Sequence, residues 1–167
     1  NGSTFFNVVL NDAGNTYQQS DPVTVGGTFT GTAGTWDAND QTLTVTGTAT
    51  NNTGALITGG TALVDFQAGY SGAGTLNVGA GTVRVQGAAD FTGSTLDFGA
   101  GVSRTLDLQG GVVFDGTTTP TTLNNASDAG DTVRFSGGAA QSLTTDTVAL
   151  PAVSVTGANT AVTLQDD

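Results

Sequence analysis

The chain has 167 residues, 14 acidic side chains, three basic ones and a formal net charge of −11. Every acid is Asp and every base is Arg; Glu, Lys, His, Cys and Met are absent. That alphabet excludes an imidazole base, a thiolate, a Schiff-base or Walker lysine, an internal Lys–Asn crosslink, disulfides and ordinary zinc, haem or iron–sulfur sites.

Gly contributes 26 residues and Thr roughly a fifth of the chain. With Glu, Lys and Met missing, the sequence favours short strands and turns over long helices. The opening stretch NGSTFFNVVLNDAG has neither a basic n-region nor a long apolar core, so it does not read as a signal peptide. The expectation is a mature or excised chain whose export signal is gone. Apolar runs fall well short of the ~20 residues a membrane-spanning helix needs, so no membrane insertion is expected. An acidic chain with three Arg and no Lys also disfavours nucleic acid, because neutralising phosphates takes cations.

Read from the amino terminus, one strand-like unit recurs: apolar, outward residue, apolar, then a small or polar residue and usually Gly. It appears at Val23-Thr24-Val25, Leu43-Thr44-Val45, Val64-Asp65-Phe66, Val83-Arg84-Val85, Leu106-Asp107-Leu108, Val133-Arg134-Phe135 and Val153-Ser154-Val155. The spacing is about 20 residues, with two longer steps that read as loop insertions. Between these units lies a second element, Thr–large apolar–Asp/Asn, at Thr35-Trp36-Asp37, Thr75-Leu76-Asn77, Thr95-Leu96-Asp97 and Thr122-Leu123-Asn124. Gly- or Asn-rich corners follow each.

Two or three short strands per ~20-residue period, each alternating apolar-in and polar-out, predict an all-β parallel β-solenoid. About eight coils at ~4.8 Å spacing would make a rod of roughly 35–40 Å. An antiparallel sandwich also gives many short strands, but does not require equivalent residues to recur at each coil. Residues 1–167 therefore read as one β-solenoid domain, or one unit of a longer array. The expected core is Phe29, Trp36, Leu43, Val45, Phe66, Leu76, Val83, Val85, Leu96, Phe98, Leu106, Leu108, Val133, Phe135, Val153 and Val155.

The outward column in this register is Thr24, Thr44, Asp65, Arg84, Asp107, Arg134, Ser154. Its signs alternate, as neighbouring in-register strands favour. Asp65, Arg84, Asp107 and Arg134 should thus share one face in successive coils. Asp37, Asn77, Asp97 and Asn124 form a second column, read as a structural side-chain ladder in preference to a calcium site, since no calcium-loop motif is present.

Laid out this way, the chain resembles bacterial surface β-helix repeats of the adhesin and autotransporter-passenger kind. The likeness is carried by GTLNVGAGTVRVQG (74–87), TWDANDQTLTVTG (35–47) and VSVTGANTAVTLQDD (153–167). The resemblance implies a right-handed parallel β-helix, secreted or at the cell surface, serving as a stalk, adhesin shaft or extracellular fibre. It brings no catalytic motif and no cofactor.

The segment beginning Phe6-Asn7-Val8-Val9-Leu10 looks like that beginning Ala152-Val153-Ser154-Val155, as though the last coil were a first coil cut short. Neither end carries an amphipathic capping helix, and uncapped coils expose unpaired N–H and C=O groups. The partner expected is therefore a copy of the same chain, stacked head to tail through Phe5, Phe6, Val8, Leu10, Val153, Val155, Val162 and Leu164. The alternative to a structural subunit or rod segment is a glycan- or receptor-binding adhesin module, with Trp36, Tyr17 and Tyr70 as sugar-stacking aromatics.

Three weaker readings complete the list. The close acid pairs Asp37/Asp40, Asp128/Asp131 and Asp166/Asp167 raise glycoside chemistry, but sit in turn-like or terminal settings, and no enzyme is expected. The alternating Thr42, Thr44, Thr46, Thr48 and Thr50 raise ice binding, although β-propensity accounts for Thr in strands. Glycosylation sequons begin at Asn1, Asn51 and Asn125, in a chain rich enough in Asn and Thr for chance to supply them.

Overall fold

The computed structural model describes residues 2–115, 119–124, 126, 130–145, 148–158 and 160–165. The first coil holds β1 (Ser3–Phe5) and β2 (Val8–Gln18), and the second β3 (Val23–Val25) and β4 (Phe29–Asp37). Three coils of three strands follow: β5 (Leu43–Val45), β6 (Ala49–Asn51), β7 (Ala55–Thr58); β8 (Val64–Phe66), β9 (Gly69–Ser71), β10 (Thr75–Asn77); β11 (Thr82–Val85), β12 (Ala88–Asp90), β13 (Thr95–Asp97). The remainder comprises β14 (Thr105–Leu108), β15 (Val112–Val113), β16 (Thr122–Asn124), β17 (Thr132–Phe135), β18 (Ala140–Thr144), β19 (Ala152–Val155) and β20 (Ala161–Gln165).

Every ladder is parallel, and the architecture is a β-solenoid of about 7 coils with about 21 residues per turn. The first face is an eight-stranded sheet ordered β1-β3-β5-β8-β11-β14-β17-β19. The second face stacks the start of β2 and of β4 with β6, β9, β12, β15, β18 and β20. The third stacks the ends of β2 and β4 with β7, β10, β13 and β16. Because β2 and β4 run through the corner, these two ladders join as one 12-stranded sheet.

The first-face register is the one the repeat predicts, from Val23↔Leu43 through Val133↔Val153. The structure adds a rung that the repeat misses: Ser3, Thr4 and Phe5 pair with Val23, Thr24 and Val25. Ser3 and Phe5 break the aliphatic pattern, which is why sequence spacing alone does not find them.

Inward residues from the three faces meet along the axis in one continuous core. Most of the expected core residues are fully buried there, from Phe29 to Phe135. Three depart. Val153 and Val155 are 51% and 52% exposed, because β19 is the last rung of its face among the described residues. Trp36 is only partly buried, packing edge-on to Phe29 at 5.5 Å while its indole N–H donates to Gln19 Oε1.

The core also contains an aromatic series that the strand repeat does not announce. Phe66, Tyr70, Phe91 and Phe114 run along the axis with ring centroids 5.1, 5.4 and 5.2 Å apart. Phe91 and Phe114 each follow a strand at a corner, outside the alternating motif.

Corners are tight as well as polar. A Cβ on Gly110 would collide with the Gly87 carbonyl oxygen one coil earlier, and a Cβ on Gly47 with that of Gly27. At the third-face corner, Asn39 and Asp40 adopt φ values of 48° and 61°, the left-handed region Asn and Asp tolerate best among side-chain-bearing residues.

Candidate functional surfaces

The charge column occupies the first face. Asp65, Arg84, Asp107 and Arg134 are mutual partners on consecutive strands β8, β11, β14 and β17. They do not form one evenly shared chain of charges. The Arg84 guanidinium donates through Nε and Nη2 to the two Asp65 oxygens, both at 2.9 Å. Arg134 does the same to Asp107, at 3.1 and 3.0 Å. Each arginine thus reaches back to the preceding coil, giving two bidentate pairs.

Both carboxylates are buried although they point away from the axis, with side-chain exposures of only 3% and 4%. The cover comes from a parallel column one corner along. Gln86 donates to both Asp65 oxygens, Gln67 donates to Asp65 Oδ2, and the Ser136 hydroxyl donates to Asp107 Oδ1.

Burial pushes the Asp65 carboxyl up, but hydrogen bonds from Arg84, Gln86 and Gln67 and the charge of Arg84 outweigh it. The net effect holds Asp65 below the ordinary carboxylate range. Asp107 is likewise raised by burial and lowered further by Arg134, Ser136 and Gln109, ending below its usual value. Arg84 and Arg134 shift upward, chiefly through their hydrogen bonds to these carboxylates. Two anchored ion pairs leave no group in this column poised to exchange a proton near neutrality.

The second column, on the third face, is Asp37, Thr58, Asn77, Asp97, Asn124, with Thr58 interrupting the expected series. Three of its side chains close their own corners. Asp37, Asn77 and Asp97 each accept the backbone N–H two residues on, from Asn39, Gly79 and Gly99, at 2.9, 2.9 and 2.8 Å. Each of the three closes its own corner in this way, and Asp37 also accepts from Gln18 on the preceding coil. Among the described residues no group of three potential metal ligands assembles.

The close acid pairs resolve in the same way where they are described. Asp37 accepts from Gln18, and Asp40 Oδ1 accepts the Thr61 N–H at 2.7 Å across a corner. Asp131 is buried, with Oδ1 accepting the Arg104 N–H, whereas Asp128, Asp166 and Asp167 lie outside the described residues. The third arginine, Arg104, stays out of the charge column and donates its guanidinium to the Val102 and Ala100 carbonyls. Sequence spacing gives no sign of this buried corner beyond the two longer steps that contain it.

Of the proposed stacking aromatics, Tyr70 is 2% exposed and part of the axial ring series, so it cannot meet a sugar. Burial pushes its phenol well above the ordinary tyrosine range. The Tyr17 hydroxyl donates to Asp12 at 2.9 Å, which raises the phenol's pKa. Tyr17 and Trp36 both line two adjoining hollows of about 480 and 420 Å³ at the amino-terminal end. The sequon residue Asn51 is fully buried and donates to the Tyr70 hydroxyl and the Thr75 carbonyl; Asn1 and Asn125 are outside the described residues. The Thr run turns a corner, Thr44 lying on the first face and Thr50 on the second. Hydroxyls do stack between coils elsewhere, as Thr4, Thr24 and Thr44 on the first face and Thr75, Thr95 and Thr122 on the third.

The two ends expose the other candidate surface. At the amino-terminal end Phe5 and Phe6 are 44% and 80% exposed, and at the other end Leu164 is 74% exposed alongside Val153 and Val155. Val8 and Val162 are half-buried against the core, and Leu10 is already buried within its own coil, so Leu10 contributes no free surface. The exposed Val9 is a member of this edge that pattern reading misses. The end-to-end likeness also shifts in register. Val153-Ser154-Val155 stands on the first face with Ser3-Thr4-Phe5, whereas Val8-Val9-Leu10 belongs to the second face with β20.

No family model matches this chain, and neither the curated proteins nor the solved structures provide a match.

Proposed function

We propose that this chain is a non-enzymatic structural rod, a β-solenoid module of an exported or cell-surface protein that extends by adding further coils at its ends. It serves as a fibre subunit or as a length of shaft in an adhesin- or autotransporter-like protein. The observation that carries the reading is the uninterrupted parallel stack of coils around one continuous core. The first face stacks eight parallel strands in one register, a geometry in which each coil presents its edge to the next. Parallel strand edges of this kind are templates for further strands. The acidic exterior fits an extracellular rod that resists lateral clumping, because like-charged rods repel along their length.

Light scattering and negative-stain microscopy test the reading. Copies should form elongated species well above the 16.4 kDa chain mass, in a concentration-dependent way. A monodisperse 16.4 kDa particle at every concentration overturns the fibre form of the reading.

A second reading rests on the amino-terminal hollow, where Tyr17 and Trp36 stand with Gln18, Gln19 and Asp21. Aromatic faces beside amide and carboxylate groups suit a sugar ring, so a surface glycan is the alternative partner. Binding in a glycan screen that is lost in Tyr17→Ala supports it, and no binding removes it.

A further inference from the structure

We infer that Asn51 is a glycosylation sequon closed by the fold. Attaching a glycan there and stacking the third coil between its neighbours exclude each other, so the chain folds before, or away from, any N-glycosylating transferase. The inference is independent of the rod reading. The acceptor motif is complete in Asn51-Asn52-Thr53. Its parts, however, lie on opposite sides of the surface. Alternation along β6 turns Ala49 and Asn51 inward and Thr50 outward. Asn51 is fully buried, whereas Asn52 and Thr53 are exposed in the turn that follows.

Glycine on both neighbouring coils makes the room that the amide fills. Asn51 is the strand partner of Gly31 on the preceding coil, and the Gly74 N–H donates to its carbonyl from the following one. A Cβ on Gly31 would come within 2.7 Å of Asn51 Oδ1, and one on Gly74 within 2.6 Å of Asn51 Nδ2. A corner too tight for a methyl group has no place for a sugar ring. The amide nitrogen also donates twice already, to the Tyr70 hydroxyl at 3.2 Å and the Thr75 carbonyl at 2.9 Å. Glycan transfer joins Nδ2 to the anomeric carbon of a lipid-linked oligosaccharide, breaks that carbon's bond to the lipid pyrophosphate and releases an amide proton. One of the two hydrogen bonds is then lost, which leaves Tyr70 or Thr75 with a buried acceptor and no donor. Tyr70 stands between Phe66 and Phe91 in the axial ring series, so displacing its hydroxyl end disturbs the core and not a surface loop.

Translation of the full chain, preceded by a cleavable signal, into microsomes that carry the transferase tests the exclusion. Enzymatic deglycosylation in heavy-oxygen water marks each occupied Asn by its mass, and protease resistance reports the fold. With no cysteine in the chain, disulfide chemistry does not enter the result. The unfolded reference is Phe66→Asp/Val85→Asp, which places two charges at fully buried core positions and leaves the sequon intact. That reference should carry glycan on Asn51 in most copies. In the parent, protease-resistant copies should show less than a tenth of that occupancy, and any occupied copies should be protease-sensitive. Protease-resistant copies that carry glycan on Asn51 overturn the exclusion. A reference chain left unmodified at Asn51 overturns the inference too, because the sequon is then no acceptor even when open.

Discussion

Arg84 binds Asp65 on the preceding coil through two hydrogen bonds of 2.9 Å, although Asp107 on the following coil is equally its strand partner. Asp107 is taken by Arg134 from its other side. The column therefore works as two clamps, each locking a pair of adjacent coils. Asp65 depends on Arg84, Gln86 and Gln67 together, and loss of the cation leaves a buried carboxylate held by amides alone.

Arg84→Met should consequently destabilise the fold by about 1–3 kcal/mol, the usual range for stranding a buried polar or charged group. The figure stays in that range because the arginine itself is about a third exposed. Adding Asp65→Asn to Arg84→Met should restore part of the loss, since the stranded charge is then gone. Urea midpoints of the two single variants and the double variant give the coupling directly.

Acid should weaken the same clamps. Asp65 and Asp107 have folded pKa values below the ordinary 3.8, so as pH falls the unfolded chain takes up their protons first. Their contribution is fully present above about 3.8 and is lost as pH falls from there through the lowered folded values. A melting-temperature profile should fall below this point, and the fall should be shallower in Asp65→Asn/Asp107→Asn. A profile of equal slope in that variant would show that the clamps do not govern acid stability.

Phe91 stands between Tyr70 and Phe114 in the axial ring series and is fully buried. Phe91→Ala should cost about 3–5 kcal/mol, through lost transfer energy and a cavity that neighbouring coils cannot close. Phe91→Leu should cost clearly less. Thermal melting of both variants checks the order.

Gly110→Ala should destabilise by about 1–3 kcal/mol, the usual cost of overpacking, because the added methyl meets a backbone carbonyl and not a movable side chain. Gly101→Ala is the contrasting case. Space around Gly101 is open, and its cost is confined to a φ of 87° that disfavours any Cβ. Paired melts of the two variants separate a steric corner from a conformational one.

Val155→Asp should leave monomer stability within about 0.5 kcal/mol of the parent, since Val155 is half exposed on the last rung. In the fibre form of the reading it should abolish growth in light scattering, because a carboxylate on this rung would be buried by the next coil with no cation to meet. Undiminished assembly in this variant would move the junction away from β19.

The repeat makes much of this molecule legible before any coordinates. Val-x-Val triplets at about 20 residues fix the parallel stack, the first-face register and the sign alternation of Asp65, Arg84, Asp107 and Arg134. Such features depend only on periodicity, and a stacked coil copies periodicity directly into space. The Asx column was legible as a column, but not in its bonding: Asp37, Asn77 and Asp97 each accept the N–H two residues on and so close their own turn. Tyr70 could not be placed from sequence, since the inward or outward sense of an isolated aromatic beside Gly69 depends on the corner preceding it.

What the sequence by itself determined is the architecture: all-β, coiled at a near-constant period, acidic, and without the side chains most catalysis requires. What only the tertiary structure decided is how deeply each repeat is covered. Val153 and Val155 are chemically the same as Val133 and Phe135 in pattern, yet they are half exposed where those are fully buried. The difference is that burial in a solenoid comes from the next coil, a neighbour that a residue's own local sequence does not contain.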